Sequence, residues 1–187
     1  GARQGFCIDF LVTSMVPSVF ITVMGFLLII SDRFNAKNIF IKAITLLMVG
    51  YSINLLRVPA PQIIGNLLGI TQYENLLRQT AYHLSMIDIY SFAGYSLLLV
   101  LPLTYVRLSY LTYFALTALT IILTSYGKEL LGLTPAYFKF VFAYIFIGEP
   151  KNVYFPILPW FAYLLLGIGL GILYLNCSKR SFYRVLA

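Results

Sequence analysis

The sequence contains the run YLLLGIGLGILYL at residues 163–175 and the run VFITVMGFLLII at residues 19–30. Neither run contains a charged residue, and neither alternates between polar and apolar positions as the strands of a membrane β-barrel do. A helix that crosses a bilayer core of about 30 Å needs roughly 20 mostly apolar residues. Together with their apolar neighbours, the two runs approach that length and predict membrane-spanning α-helices.

The composition of the whole chain agrees with this interpretation. Of its 187 residues, 60% are hydrophobic and 10% are charged, whereas about 25% of the residues of a soluble domain are charged. A soluble core could not bury so many apolar side chains. We therefore expect an all-α, polytopic protein of the lipid bilayer, in which residues 1–187 form a single integral membrane domain.

Five membrane spans can be drawn along the chain. They cover residues 8–30, 39–56, 86–105, 108–126 and 157–175. A tight turn at Arg107 joins the third span to the fourth, and a basic tail follows the fifth.

Two longer connections separate these spans. The first contains Pro59 and Pro61, and then a mixed stretch at residues 63–84 that predicts an amphipathic helix at the membrane interface. The second contains the run YFKFVFAYIFI at residues 137–147, which is short for a full span. We expect an interfacial or re-entrant segment there, with a sixth span as the alternative.

Basic residues predict the orientation. One side of the membrane would hold, in short connections and the carboxyl-terminal tail, Arg33, Lys37, Arg107, Lys179, Arg180 and Arg184, with Lys42 close by. Since basic residues gather in short cytoplasmic loops, we expect this side, with the carboxyl terminus, to be cytoplasmic in the plasma (inner) membrane. The net charge of +7 is then topological, and no nucleic-acid partner is expected.

Metal chemistry is not expected. Cys7 and Cys177 stand at opposite ends of the chain, and the sequence contains one histidine. A zinc site needs several closely placed cysteine, histidine or carboxylate ligands.

Charged residues at the edges of spans are the candidates for catalysis and substrate binding. Asp88 lies near the outward start of the third span, five residues after His83. This carboxylate and imidazole could act together as a general base. The alternative is that Asp88 pairs with Arg57 or Arg78, which we also consider as substrate-binding residues. Asp9, near the start of the first span, is a weaker candidate for substrate binding.

On the cytoplasmic side, Arg33, Lys37 and Lys42 form a basic cluster that could bind an anionic cofactor such as a coenzyme A phosphate. The alternative is ordinary topological charge. The glycines of the last span, Gly167, Gly169 and Gly171, predict close approach of a neighbouring helix.

Three segments carry a family resemblance. They are VPSVFITVMGFLL at residues 16–28, IDIYSFAGYS at residues 87–96, and FPILPW at residues 155–160 followed by Gly167 and Gly171. In this order they resemble helices of heparan-alpha-glucosaminide N-acetyltransferase-like proteins and the wider group of transmembrane acyltransferases.

The resemblance implies a function and a donor. Acetyl-CoA, or another acyl-CoA, would engage from the cytoplasmic side, and a sugar hydroxyl or amine would be acylated on the outer or luminal side. Such proteins commonly carry an essential histidine ahead of the segment that resembles residues 9–28, and His83 does not fall on that position. By this comparison the chain is expected to be a fragment that lacks the first helix, or an inactive relative.

Two functions from other classes stay open. A small transporter or flippase-like protein would use Asp88, His83 and Arg78 along a polar path. A non-catalytic membrane partner subunit would use none of them. The oligomeric state, a homo-oligomer included, is also open.

Overall fold

The structure is a computed structural model that describes residues 16–31, 34–70, 76–84, 86–106, 108–133, 135, 138, 142 and 155–177. The predicted all-α class is confirmed for this part of the chain. Its helices are α1 (Val16–Ile30), α2 (Ala36–Arg57), α3 (Pro59–Leu67), α4 (Leu76–Leu84), α5 (Ile89–Val100), α6 (Tyr110–Ser125), α7 (Gly127–Leu133) and α8 (Ile157–Asn176). A 3₁₀ segment, Leu101–Tyr105, follows α5.

Short polar side chains begin several of these helices. The side-chain oxygen of Asn35 accepts a 2.9 Å hydrogen bond from the backbone N–H of Asn38 at the start of α2. The hydroxyl of Ser109 accepts one from the N–H of Thr112 at the start of α6. The first turn of a helix has N–H groups without an internal acceptor, and such caps satisfy them.

Two helices are long and apolar enough to cross a bilayer in the described part of the chain. They are α2, of 22 residues, and α8, of 20 residues. Only 22% of the apolar window of α2 is buried, so most of this helix presents its apolar side chains outward, as contact with lipid requires. Three further helical segments, Val16–Ile30, Ile89–Tyr105 and Tyr110–Ser125, are apolar but shorter. The count of five spans therefore stays a prediction.

The predicted helix over residues 63–84 is wrong in its continuity, because two shorter helices, α3 and α4, occupy this stretch. The break begins at Gly69, which has a φ of 68°. The N–H of Gly69 donates to the carbonyl of Asn66, and that of Ile70 to the carbonyl of Gly65, which is the Schellman pattern of a helix end. Leu67 and Leu77 are 81% and 87% exposed, as an interfacial position would leave them.

The second long connection is only partly described. Helix α7 occupies its start, and Phe155 and Pro156 precede α8. The choice between a re-entrant segment and a sixth span falls on residues 137–147, most of which lie outside the described residues. That choice stays open.

The chain divides into two compact units. Unit 1 comprises Gly1–Ile39, Val100–Gly127 and Leu158–Ala187, and unit 2 comprises Phe40–Leu99 and Lys128–Ile157.

In unit 1, helices α1 and α8 cross at two glycines. A Cβ atom on Gly25 would overlap the carbonyl oxygen of Leu164, and one on Gly167 would overlap the carbonyl oxygen of Thr22. The backbones therefore approach as closely as glycine alone permits, which confirms the packing role predicted for Gly167. Helix α6 reaches the same core, where the hydroxyl of Thr117 lies 3.5 Å from the carbonyl oxygen of Ala162.

In unit 2, α2 packs on α5. A Cβ on Gly94 of α5 would meet the side chain of Leu47, and the hydroxyls of Tyr51 and Tyr95 form a 2.5 Å hydrogen bond. Phe155 closes the core from the other side, because its ring lies 6.3 Å from that of Phe92.

Candidate functional site

Asp88 caps helix α5. Its carboxylate accepts a 2.8 Å hydrogen bond from the backbone N–H of Ser91, and its carbonyl oxygen accepts one from the N–H of Phe92. An aspartate at this position satisfies an otherwise unpaired donor and places negative charge at the positive end of the helix dipole. The structure thus gives Asp88 a partner other than the predicted Arg57 or Arg78.

Helix α2 passes close to this cap. A Cβ atom on Gly50 would lie 2.6 Å from the hydroxyl oxygen of Ser91 and 3.2 Å from a carboxylate oxygen of Asp88. One turn further along α2, the side-chain amide of Asn54 donates a 2.8 Å hydrogen bond to the carbonyl oxygen of Met86. Glycine and asparagine in an otherwise apolar helix therefore bring α2 against the segment that leads into α5.

A cavity of about 220 Å³ lies beside this junction. Its described lining residues are Asn54, Arg57, Val58, His83 and Met86. Asn54 and Arg57 are three residues apart and so share a face of α2. His83 comes from the last turn of α4. The structure thus brings together two residues selected from the sequence, Arg57 and His83, which are 26 positions apart.

Arg78 does not line this cavity, and neither does Asp88. Arg78 is exposed on α4 and precedes His83 by five residues, which places the two about 140° apart around the helix axis. Asp88 is half-buried at its cap. The roles assigned to these residues from the sequence stay predictions.

The polar atoms near His83 are incompletely paired. In the described chain, buried atoms without a hydrogen-bond partner include Nδ1 of His83, Oγ1 of Thr80 and Oε1 of Gln62. Thr80 and His83 are one turn apart on α4, and Gln62 belongs to α3, which packs on α4. A buried polar atom left unpaired costs about 1–3 kcal/mol. Such atoms concentrate at sites that meet a polar ligand or water.

Helix α5 adds two buried hydroxyls to unit 2. The Oγ atoms of Ser91 and Ser96 are buried and have no hydrogen-bond partner. Ser91 lies at the cap of Asp88, and Ser96 is fully buried. Sequence reasoning missed Asn54, Ser91 and Ser96, although an asparagine and serines inside apolar runs were a signal that could have found them.

The predicted basic cluster is only partly described. Lys37 is exposed near the start of α2, whereas Lys42 is half-buried. Five residues separate them, so they point about 140° apart around the helix axis. Arg33 and Asp9 lie outside the described residues, as does Arg107 at the predicted turn. Among the described residues no group of three or more histidine, cysteine or acidic side chains could hold a metal ion.

The helices and the cavity define a class, that of helical membrane proteins with a polar ligand site. The particular family follows from comparison with known sequences. The model of the family described as heparan-alpha-glucosaminide N-acetyltransferase, catalytic, matches residues 3–186, and the chain belongs to this family. The resemblance drawn from the sequence is therefore confirmed. No curated protein and no solved structure matched the chain.

Proposed function

We propose that this protein is a membrane acyltransferase that moves an acyl group from acyl-CoA, with acetyl-CoA as the first candidate, to an amine or hydroxyl of a carbohydrate. Two observations support the proposal. The chain matches an acetyltransferase family over residues 3–186. A cavity in unit 2 also combines the single histidine of the sequence with an arginine.

The reaction needs a group that accepts a proton. The acceptor nitrogen or oxygen forms a bond to the thioester carbonyl carbon, the carbon–sulfur bond breaks, and the acceptor gives up one proton. That proton ends on the leaving thiolate, so the protein carries it from one substrate to the other. Imidazole suits this task because its unperturbed pKa lies near 6.5.

His83 is the group that we assign to this proton transfer. Its Nδ1 is buried and has no partner within the described chain, so it is available to a substrate. Arg57 lines the same cavity and supplies positive charge for an oxyanion or for an anionic part of a substrate. Asn54 is held by its bond to the Met86 carbonyl and positions α2 rather than reacting.

Donor binding is assigned to the basic side of the chain, with Arg33, Lys37 and Lys42 as phosphate contacts. The orientation argued from basic residues supports this assignment, because it makes that side cytoplasmic. The acceptor is then on the opposite side, with Arg57, Arg78 and Asp9 as its candidate contacts. In this proposal the protein lies in the plasma membrane with its carboxyl terminus in the cytoplasm.

The decisive experiment measures transfer of labelled acetyl groups from acetyl-CoA to glucosamine by membranes that contain the chain. His83→Gln should lower the rate by about 10²–10⁴-fold, the usual contribution of a general base. Arg57→Gln should lower it, and Arg57→Lys should restore part of it, because lysine keeps the charge. Arg78→Gln is the comparison for simple loss of a positive charge.

Unchanged transfer in His83→Gln would exclude His83 as the base. Binding of acetyl-CoA without any transfer to amino sugars would contradict the proposed reaction. Loss of activity in Arg78→Gln that matched Arg57→Gln would show that charge, and not the cavity, matters.

A further inference from the structure

Unit 1 contains a second cavity, away from the charged residues discussed so far. It measures about 420 Å³, within the range of roughly 300–1,000 Å³ typical of small-molecule sites. Helix α1 contributes Ser18, α6 contributes Thr124 and Ser125, and α8 contributes Trp160 and Tyr163. A proline and an isoleucine complete the described lining. We call this cavity the Trp160 groove.

The lining combines aromatic rings with hydroxyls and contains no charged side chain among the described residues. The rings of Trp160 and Tyr163 lie 6.0 Å apart and are inclined by 41°. They form two adjacent apolar walls, since the residues are one turn apart on α8. Without a cation, such a lining is poorly suited to the phosphates of coenzyme A.

The hydroxyls of α6 act mainly as acceptors. Thr124 donates its hydroxyl hydrogen to the carbonyl of Thr120 at 2.8 Å, and Ser125 donates to the carbonyl of Ile121 at 3.2 Å. Each oxygen keeps lone pairs that can accept a further hydrogen bond. A ligand that supplies donors complements these atoms. Lipid tails supply none, and phosphate head groups are acceptors themselves.

We propose that the Trp160 groove binds a sugar ring of the acceptor, with the C–H face of the ring on Trp160 and Tyr163 and its hydroxyl or amine hydrogens directed at Thr124 and Ser125. A sugar combines an apolar face with many donors, which is the combination that this lining complements. The choice of a sugar rests on the proposed function. The groove lies at the carboxyl end of α6 and the amino end of α8, both outward in the orientation predicted from the sequence.

The sequence provides its own probe, because Trp160 is the one tryptophan among 187 residues. We would titrate the full chain in detergent with glucosamine, N-acetylglucosamine and, as the lipid head-group control, phosphocholine, and follow tryptophan emission. A saturable change with the sugars and none with phosphocholine is the expected result. A response to phosphocholine and none to the sugars would overturn the proposal in favour of a lipid site.

A matched pair of variants tests the hydrogen bonds. Thr124→Val removes the acceptor with little change of shape and should weaken sugar binding about two- to tenfold, the range of one hydrogen bond. Thr45→Val is the control, because Thr45 is an exposed threonine on α2 with the same bond to the carbonyl four residues earlier. Equal affinity in both variants would overturn the assignment of Thr124. The titration of the unmodified chain stands even where Thr124→Val fails to fold.

The groove and the proposed function can fail separately. Sugar-dependent emission from a chain that transfers no acyl group would contradict the function and support the groove. Acyl transfer with an unchanged KM for the sugar in Thr124→Val, together with silent Trp160 emission, would overturn the groove and support the function.

Discussion

The side-chain amide of Asn54 on α2 donates a 2.8 Å hydrogen bond to the backbone carbonyl of Met86, ahead of α5. Asn54 is only 6% exposed, so this bond forms away from water. One turn later on the same helix is Arg57, and three residues before Met86 is His83. The bond therefore holds together the two segments that line the His83 cavity.

Replacement of Asn54 by leucine should destabilise the protein by about 1–3 kcal/mol, because the buried carbonyl of Met86 loses its partner. Thermal unfolding in detergent measures the change. Asn66→Leu on α3 is the control, since Asn66 is exposed and should tolerate the exchange. Equal melting temperatures for the two variants would show that the Asn54 bond contributes nothing.

Two substitutions of Asp88 separate its cap from its charge. Asp88→Ala removes the acceptor for the Ser91 N–H and should cost about 0.5–2 kcal/mol. Asp88→Asn keeps a good cap and should be nearly as stable as the unmodified protein. Unfolding and acyl transfer are measured on both. If Asp88→Asn is stable but inactive, the charge has the catalytic role predicted from the sequence, beyond capping.

Gly167→Ala should destabilise the crossing of α1 and α8 by about 1–3 kcal/mol, because the added methyl group meets the carbonyl of Thr22. Gly132→Ala on α7 is a matched control, since nothing lies within 4 Å of a Cβ placed there. Unfolding midpoints should therefore fall for the first variant alone. A stable Gly167→Ala protein would mean that the two helices can separate without cost.

Orientation is tested with single cysteines in a chain whose Cys7 and Cys177 have been replaced by serine. A cysteine at Lys37, which is exposed at the start of α2, should resist a membrane-impermeant thiol reagent in intact cells. One at Glu129, which is exposed on α7, should react. Both should react after the membrane is permeabilised. Labelling at Lys37 from outside would reverse the predicted topology.

Helix positions were largely predictable because the signals are local. Apolar runs, Pro59 and the residues before α2 and α6 are short-range features of the sequence. The division between α3 and α4 was missed, although Gly69 is a recognisable helix end: its positive φ is readily accessible to glycine and disfavoured for a residue with a Cβ. Length alone does not make a span, and α1 and α6 fall short of the two helices that qualify.

The candidate site was predictable only in its members. Charge at the edge of a span pointed to Asp88, His83, Arg57 and Arg78, but helix geometry then separated them. Asp88 turned to the amide of Ser91, and Arg78 took a different face of α4 from His83. Which of several nearby charges meet depends on rotation about the helix axis and on neighbouring helices, and hydropathy contains neither.

By itself, the sequence determined the helical class, the apolar character of α2 and α8, the close approach at Gly167 and the family resemblance. Only the tertiary structure placed Arg57 with His83, tied Asn54 to Met86, and assembled the Trp160 groove from α1, α6 and α8. The physical reason is the range of the interactions. Helix formation and membrane preference depend on residues a few positions apart, whereas each cavity depends on how side chains from distant helices pack.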